Sequence, residues 1–176
     1  MKLDLRRDLK ELEDFILEKI RIYDEYENLG PGDDDDPIQR ITLGYYVEQT
    51  GYVAVIFDTR PDATNDGEWT MHIEEDDNMV FVPGWEDAFN HLCDEVTVTV
   101  SLPNGKSRIL DTKDDNESVA TFFGEQICEL VLGLKKRKIF DSLPLAKNAV
   151  LSVEDFNGLW AWPNSSKDQE QARLGS

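Results

Sequence analysis

The sequence predicts an α+β fold, with a mainly antiparallel sheet of about five or six strands packed against two long helices. Three observations in the 176 residues predict it. Residues 41–59 hold two runs rich in β-branched and aromatic side chains on either side of Gln49-Thr50-Gly51, which reads as a β-hairpin. Residues 3–23 and 116–134 each carry apolar side chains at spacings of three and four, the pattern of helices with one buried stripe. Residues 96–110 alternate apolar and polar residues around an Asn-Gly turn, the pattern of a second hairpin.

In chain order, the first helix places Leu5, Leu9, Leu12, Ile16, Ile20 and Tyr23 on one stripe, with Arg6, Arg7, Lys10, Glu13, Asp14 and Arg21 facing solvent. Gly30, Pro31, Gly32, Asp33, Asp34, Asp35, Asp36 and Pro37 then forbid both a helix and a central strand, so an exposed loop is expected. Four adjacent aspartates on an extended chain point alternately in opposite directions, which argues against their converging on one metal ion. In the long hairpin, the second run, residues 52–57, is almost wholly apolar and is expected mid-sheet with both faces covered.

Asp62, Thr64, Asp66 and Gly67 match the first positions of a calcium-binding loop, but Ile73 stands where the bidentate glutamate should be. A turn leading into a strand over residues 69–73 explains the same residues. Trp69, Met71 and Ile73 would face the core there, with Thr70, His72 and Glu74 opposite. Glu74, Glu75, Asp76 and Asp77 form a second acidic tip, followed by a short strand at residues 79–82. A helix begins at Trp85 beside Glu86 and Asp87. The helix from Asn116 carries Val119, Phe122, Phe123, Ile127, Leu130, Val131 and Leu134, and it ends in Lys135-Lys136-Arg137-Lys138, cations that complement a helix C-terminus. Residues 143–162 show no clear period but are too apolar to lie free. Residues 1–163 are expected to form one domain, and residues 164–176 a disordered polar tail.

Charge is the most informative feature. The net charge is −19, and 18 of those excess charges fall in two segments, residues 24–37 and 58–95, that bracket the neutral hairpin. If the fold brings the two together they form a single negative face. Such a face would repel nucleic acid, and no apolar run approaches the ~20 residues that span a bilayer. Cys93 and Cys128 sit in apolar helical patterns outside any metal-ligand spacing, as buried thiols of a reducing compartment would. The expectation is therefore a soluble cytoplasmic protein without cofactor or metal.

The reading favours binding over catalysis: an acidic domain that captures a basic protein, as intracellular inhibitors and toxin-immunity proteins do. Its binding residues would be Asp33, Asp34, Asp35, Asp36, Glu74, Glu75, Asp76, Asp77, Glu86 and Asp87, with Trp85 as an aromatic anchor. The alternative is a hydrolase-like or metal-dependent enzyme that uses His72 with Glu74 and nearby carboxylates.

Overall fold

The structure, a computed structural model, describes residues 1–23, 36–46, 51–61, 79–82, 84–85, 97–110 and 116–174. The elements are β1 (Lys2–Asp4), α1 (Leu5–Arg21), β2 (Ile38–Tyr46), β3 (Tyr52–Asp58), β4 (Met79–Phe81), β5 (Val98–Ser101), β6 (Ser107–Leu110), α2 (Asn116–Lys136), a 3-10 turn (Ile139–Ser142), β7 (Leu145–Asp155), β8 (Ala161–Trp162) and α3 (Ser166–Ala172). The class is α+β, as the sequence predicts. Among the described residues the strands form two sheets rather than one, ordered β4-β3-β2-β7-β8 and β1-β5-β6. Both sheets are mixed: β2 runs parallel to β7 and β1 parallel to β5, and the other pairs are antiparallel.

The long hairpin forms where its composition places it. Tyr46 opposes Tyr52 and Arg40 opposes Asp58, and Gly51, with a φ of 62°, closes the turn by donating its N–H to the Tyr46 carbonyl at 2.9 Å. Val53 through Asp58 are all buried, so both faces of β3 are covered. The second hairpin, β5–β6, attaches to β1 instead of the long hairpin, because the three residues before α1 pair with β5 from Lys2 to Asp4.

Helix α1 starts where Asp4 accepts a hydrogen bond from the Arg6 backbone at 3.2 Å. Its stripe of Leu5, Leu9, Leu12, Ile16 and Ile20 is buried, and so is most of the α2 stripe. These residues join Ile41, Leu43, Tyr45, Val53, Val55, Phe57, Leu151 and Val153 from the inner face of the larger sheet in one core. Leu3, Val98, Val100 and Leu110 of the smaller sheet belong to the same cluster. Arg108 of β6 lies over the Phe122 ring of α2 at 4.6 Å.

The C-terminal segment corrects the expectation of a disordered tail. The Ser165 hydroxyl caps α3 by accepting from the Asp168 N–H at 3.2 Å. Beyond the helix, Arg173 bridges Val150, and the Leu174 N–H donates to the Ala149 carbonyl at 2.7 Å. Ala172 and Leu174 are buried. Two apolar residues among polar neighbours suffice because they dock on an edge that β7 already provides.

Asp8 sits on the covered side of α1 and is fully buried. Arg7 reaches its Oδ1 at 3.1 Å from an exposed position. Desolvation pushes its carboxyl above the usual aspartate range, and Arg7 and Trp85 pull it only part of the way back. A carboxyl raised in the native state contributes stability that is fully present below its unfolded pKa and is lost as pH rises through the native one. Asp8→Asn should therefore match the parent protein in acid and become the more stable of the two as pH climbs towards neutrality, read from urea midpoints across that range. A difference that stays constant with pH would show that the Asp8 carboxyl does not respond to its burial.

Candidate functional site

Three of the four chain ends of the two acidic segments lie at one end of the larger sheet. Tyr23, which precedes residues 24–37, packs edge-on against Phe57 with ring centroids 5.0 Å apart. Asp36, at the other end of that segment, is exposed and lies two residues before β2. The first residue of the second segment, Asp58, closes β3 opposite Arg40, so the start of β2 and the end of β3 are neighbours. Three chain ends of the two segments thus share one end of the sheet, although long stretches of sequence separate them. Strand β4, which follows Glu74 to Asp77 in the sequence, pairs along the outer edge of β3, with Met79 opposite Ala54 and Phe81 opposite Tyr52.

At this end the one basic residue of the second segment is engaged locally. Arg60 donates to Asp58 Oδ1 from its backbone N–H at 3.0 Å and from Nε at 3.1 Å, and to Oδ2 from Nη2 at 2.9 Å. Asp58 is only 5% exposed, so this pair forms part of the turn leaving β3 and contributes little charge to solvent. The remaining acidic excess of the segment belongs to the residues that follow.

Of the binding residues expected from sequence, Asp36 is described and exposed. Asp33, Asp34, Asp35, Glu74, Glu75, Asp76, Asp77, Glu86 and Asp87 lie outside the described residues, as do His72, Trp69 and the Asp62 to Gly67 loop. Trp85 is a correction: it is 0% exposed and therefore unable to serve as a surface anchor. Its indole packs on Phe123 with centroids 4.7 Å apart, and Gly84 beside it lies so close to Leu3 and Asp8 that an added Cβ would meet Leu3 Cδ1 at 2.6 Å. The acidic neighbours in the sequence suggested a surface position, but Trp85 packs on Phe123 of α2 within the core. Cys128 is buried as expected, and burial pushes its thiol upward, which makes it a poor nucleophile.

A second site went unnoticed in the sequence. The outer face of the larger sheet carries a polar trough of about 520 Å³. Ser152 and Glu154 of β7 form its floor and Arg40 of β2 one wall. Ala161 of β8 and Pro163, with Gln169 and Arg173 at the C-terminus, form the other. Side chains two apart on a strand share a face, so Val150, Ser152 and Glu154 point outward while Leu151 and Val153 enter the core. Thr42 and Ser152 on adjacent strands share a hydrogen bond of 2.7 Å between their hydroxyls. Glu154 is 6% exposed, and an Arg40 nitrogen stands 3.8 Å from its Oε1. Burial raises the Glu154 carboxyl above the usual range, with Ser152 and Arg40 opposing the shift. The signal was present in Arg40 and Thr42 alternating with Ile41 and Leu43, and in Ser152 and Glu154 alternating with Leu151 and Val153. It became legible only once β7 was known to lie beside β2.

Among the described residues no group of three or more histidine, cysteine, aspartate or glutamate side chains is arranged to hold a metal ion, and no helix is long and apolar enough to cross a membrane. Comparison of the chain with protein-family models, with curated proteins and with solved structures finds no match.

Proposed function

We propose that this is a binding protein whose two acidic segments form one negative face at the Asp36–Asp58 end of the larger sheet, and that this face captures a cationic protein, as inhibitors and toxin-immunity proteins do. The observation that carries the reading is the pairing of Arg40 with Asp58, together with Tyr23 against Phe57, because it brings three ends of the two segments to one place. With 18 of 19 excess charges in those segments, the field would be concentrated on one side of the molecule. A concentrated field speeds encounter with a partner of opposite charge and repels the wrong partners.

The test compares two variants of equal net charge. One replaces Asp33, Asp34, Asp35 and Asp36 by asparagine and serine. The other replaces Glu117, Glu125, Glu129 and Glu170, all exposed on α2 and α3, by glutamine. Association with the basic protein captured from native extract is followed at low salt. The first variant should associate roughly tenfold more slowly, with a shallower salt dependence and little change in dissociation. The second should stay near the parent rate, and both should keep the parent's melting temperature. Equal slowing in the two variants would mean that net charge alone matters, and the proposed face would be abandoned.

A further inference from the structure

We propose that the trough over β7 is a binding site for a small organic carboxylate that carries a hydroxyl or ammonium group next to the carboxylate, an α-hydroxy or α-amino acid. The argument begins with charge. In a chain with 37 acidic and 18 basic side chains, the described residues that line the trough include two arginines, Arg40 and Arg173, and one carboxylate, Glu154. It is therefore a locally cationic spot on a strongly anionic protein, a place where a monoanion gains most and a dianion such as phosphate meets Glu154. A guanidinium fork matches the two oxygens of a carboxylate.

The floor supplies the second recognition element. Thr42 and Ser152 share their 2.7 Å hydrogen bond, and Ser152 eases the charge of the neighbouring Glu154 carboxylate. This row holds Glu154 as an acceptor, and a donor on the ligand, hydroxyl or ammonium, would complete its hydrogen bonding. Arg40 stands 3.8 Å from Glu154 Oε1, beyond hydrogen-bond distance, so that contact leaves the carboxylate oxygen able to accept from a ligand. The wall supplies the third element. Val150, Ala161 and Pro163 give the trough an apolar side, suited to an aromatic or branched side group. A volume of about 520 Å³ lies within the range of small-molecule sites.

The test uses 3-phenyllactate and L-phenylalanine as probes, with phenethylamine and inorganic phosphate as controls, read by the backbone amide resonances in protein NMR and by calorimetry. The two carboxylates should bind saturably at millimolar or lower concentration and shift the Ala161 and Gln169 backbone amides, while the controls should not. Arg173 is exposed and uses its backbone to bridge Val150, so Arg173→Gln should leave the fold intact and weaken both probes roughly tenfold or more. Glu154→Gln should weaken phenylalanine more than phenyllactate, because the ammonium loses an ion pair whereas the hydroxyl exchanges a carboxylate acceptor for an amide oxygen. The Asp33 to Asp36 variant should bind both probes as the parent does, which keeps this result separate from the acidic face. Absence of saturable binding by either carboxylate, phosphate binding at the same site, or an Arg173→Gln variant with unchanged affinity would each overturn the proposal.

Discussion

Trp85→Ala should lose about 3–5 kcal/mol of folding stability, the range for truncating a large aromatic side chain in a packed core. Trp85 is 0% exposed and its ring meets Phe123 at 4.7 Å, so truncation opens a cavity walled by elements too well packed to collapse into it. The change also bears on Asp8. Among the described residues, Trp85 Nε1 and Asp8 Oδ2 are both buried without a hydrogen-bond partner, yet the indole lies close enough to ease the carboxylate's charge. Trp85→Phe keeps a ring against Phe123 and removes only that polar edge, so it should cost markedly less. Urea unfolding followed by circular dichroism measures both variants. A Trp85→Ala protein within about 0.5 kcal/mol of the parent, the usual range for surface substitutions, would return Trp85 to the surface and reopen its role as an anchor.

What the sequence made legible is what short-range pattern can encode. The stripes of α1 and α2 could be read because each helix buries one face and a period near 3.6 records it. The two hairpins could be read because Gly51 and Asn104-Gly105 mark turns between alternating runs. Strand β7 could not be read this way. It is buried on both faces from Leu151 to Asp155, while Lys147 and Asn148 near its start are exposed, so no single period runs through it. Its partner β2 lies over a hundred residues upstream, and the pairing shifts register between Ile38 and Arg40. Missing β7 also hid the trough, whose floor is β7, and the docking of residues 172–174 on that strand's edge. Asp8 and Lys19 lie on the covered side of an otherwise regular amphipathic helix, where polar type alone predicts exposure. The charge division was visible from the outset. The gathering of the segment ends at one place is a property of strand pairing, and composition does not carry it.

The second large effect separates two glycines of α2 that the sequence cannot tell apart. Within a helix, Gly→Ala normally gains up to about 1 kcal/mol, because alanine restricts the unfolded chain and favours the helix. At Gly133 nothing lies within 4 Å of an added Cβ, so Gly133→Ala should show that gain nearly in full. At Gly124 the same methyl would sit 2.3 Å from Trp160 Cε3 and 2.5 Å from Tyr45 Oη. The tyrosine cannot easily yield: it is fully buried, and its hydroxyl donates to the Ala120 carbonyl of the same helix at 2.7 Å. Trp160 is only half-buried, but its ring lies beside Tyr45 with centroids 6.4 Å apart, so moving either ring disturbs the other. Overpacking of this kind costs about 1–3 kcal/mol, which exceeds the helix-propensity gain, so Gly124→Ala should be net destabilising. Placing Gly124→Ala in a Trp160→Ala background relieves the closest contact and should shrink its penalty, giving a favourable coupling in the double-mutant cycle. Equal stabilisation by Gly124→Ala and Gly133→Ala in urea melts would mean that β2, α2 and the turn before β8 are less tightly joined around Tyr45 than the structure has them.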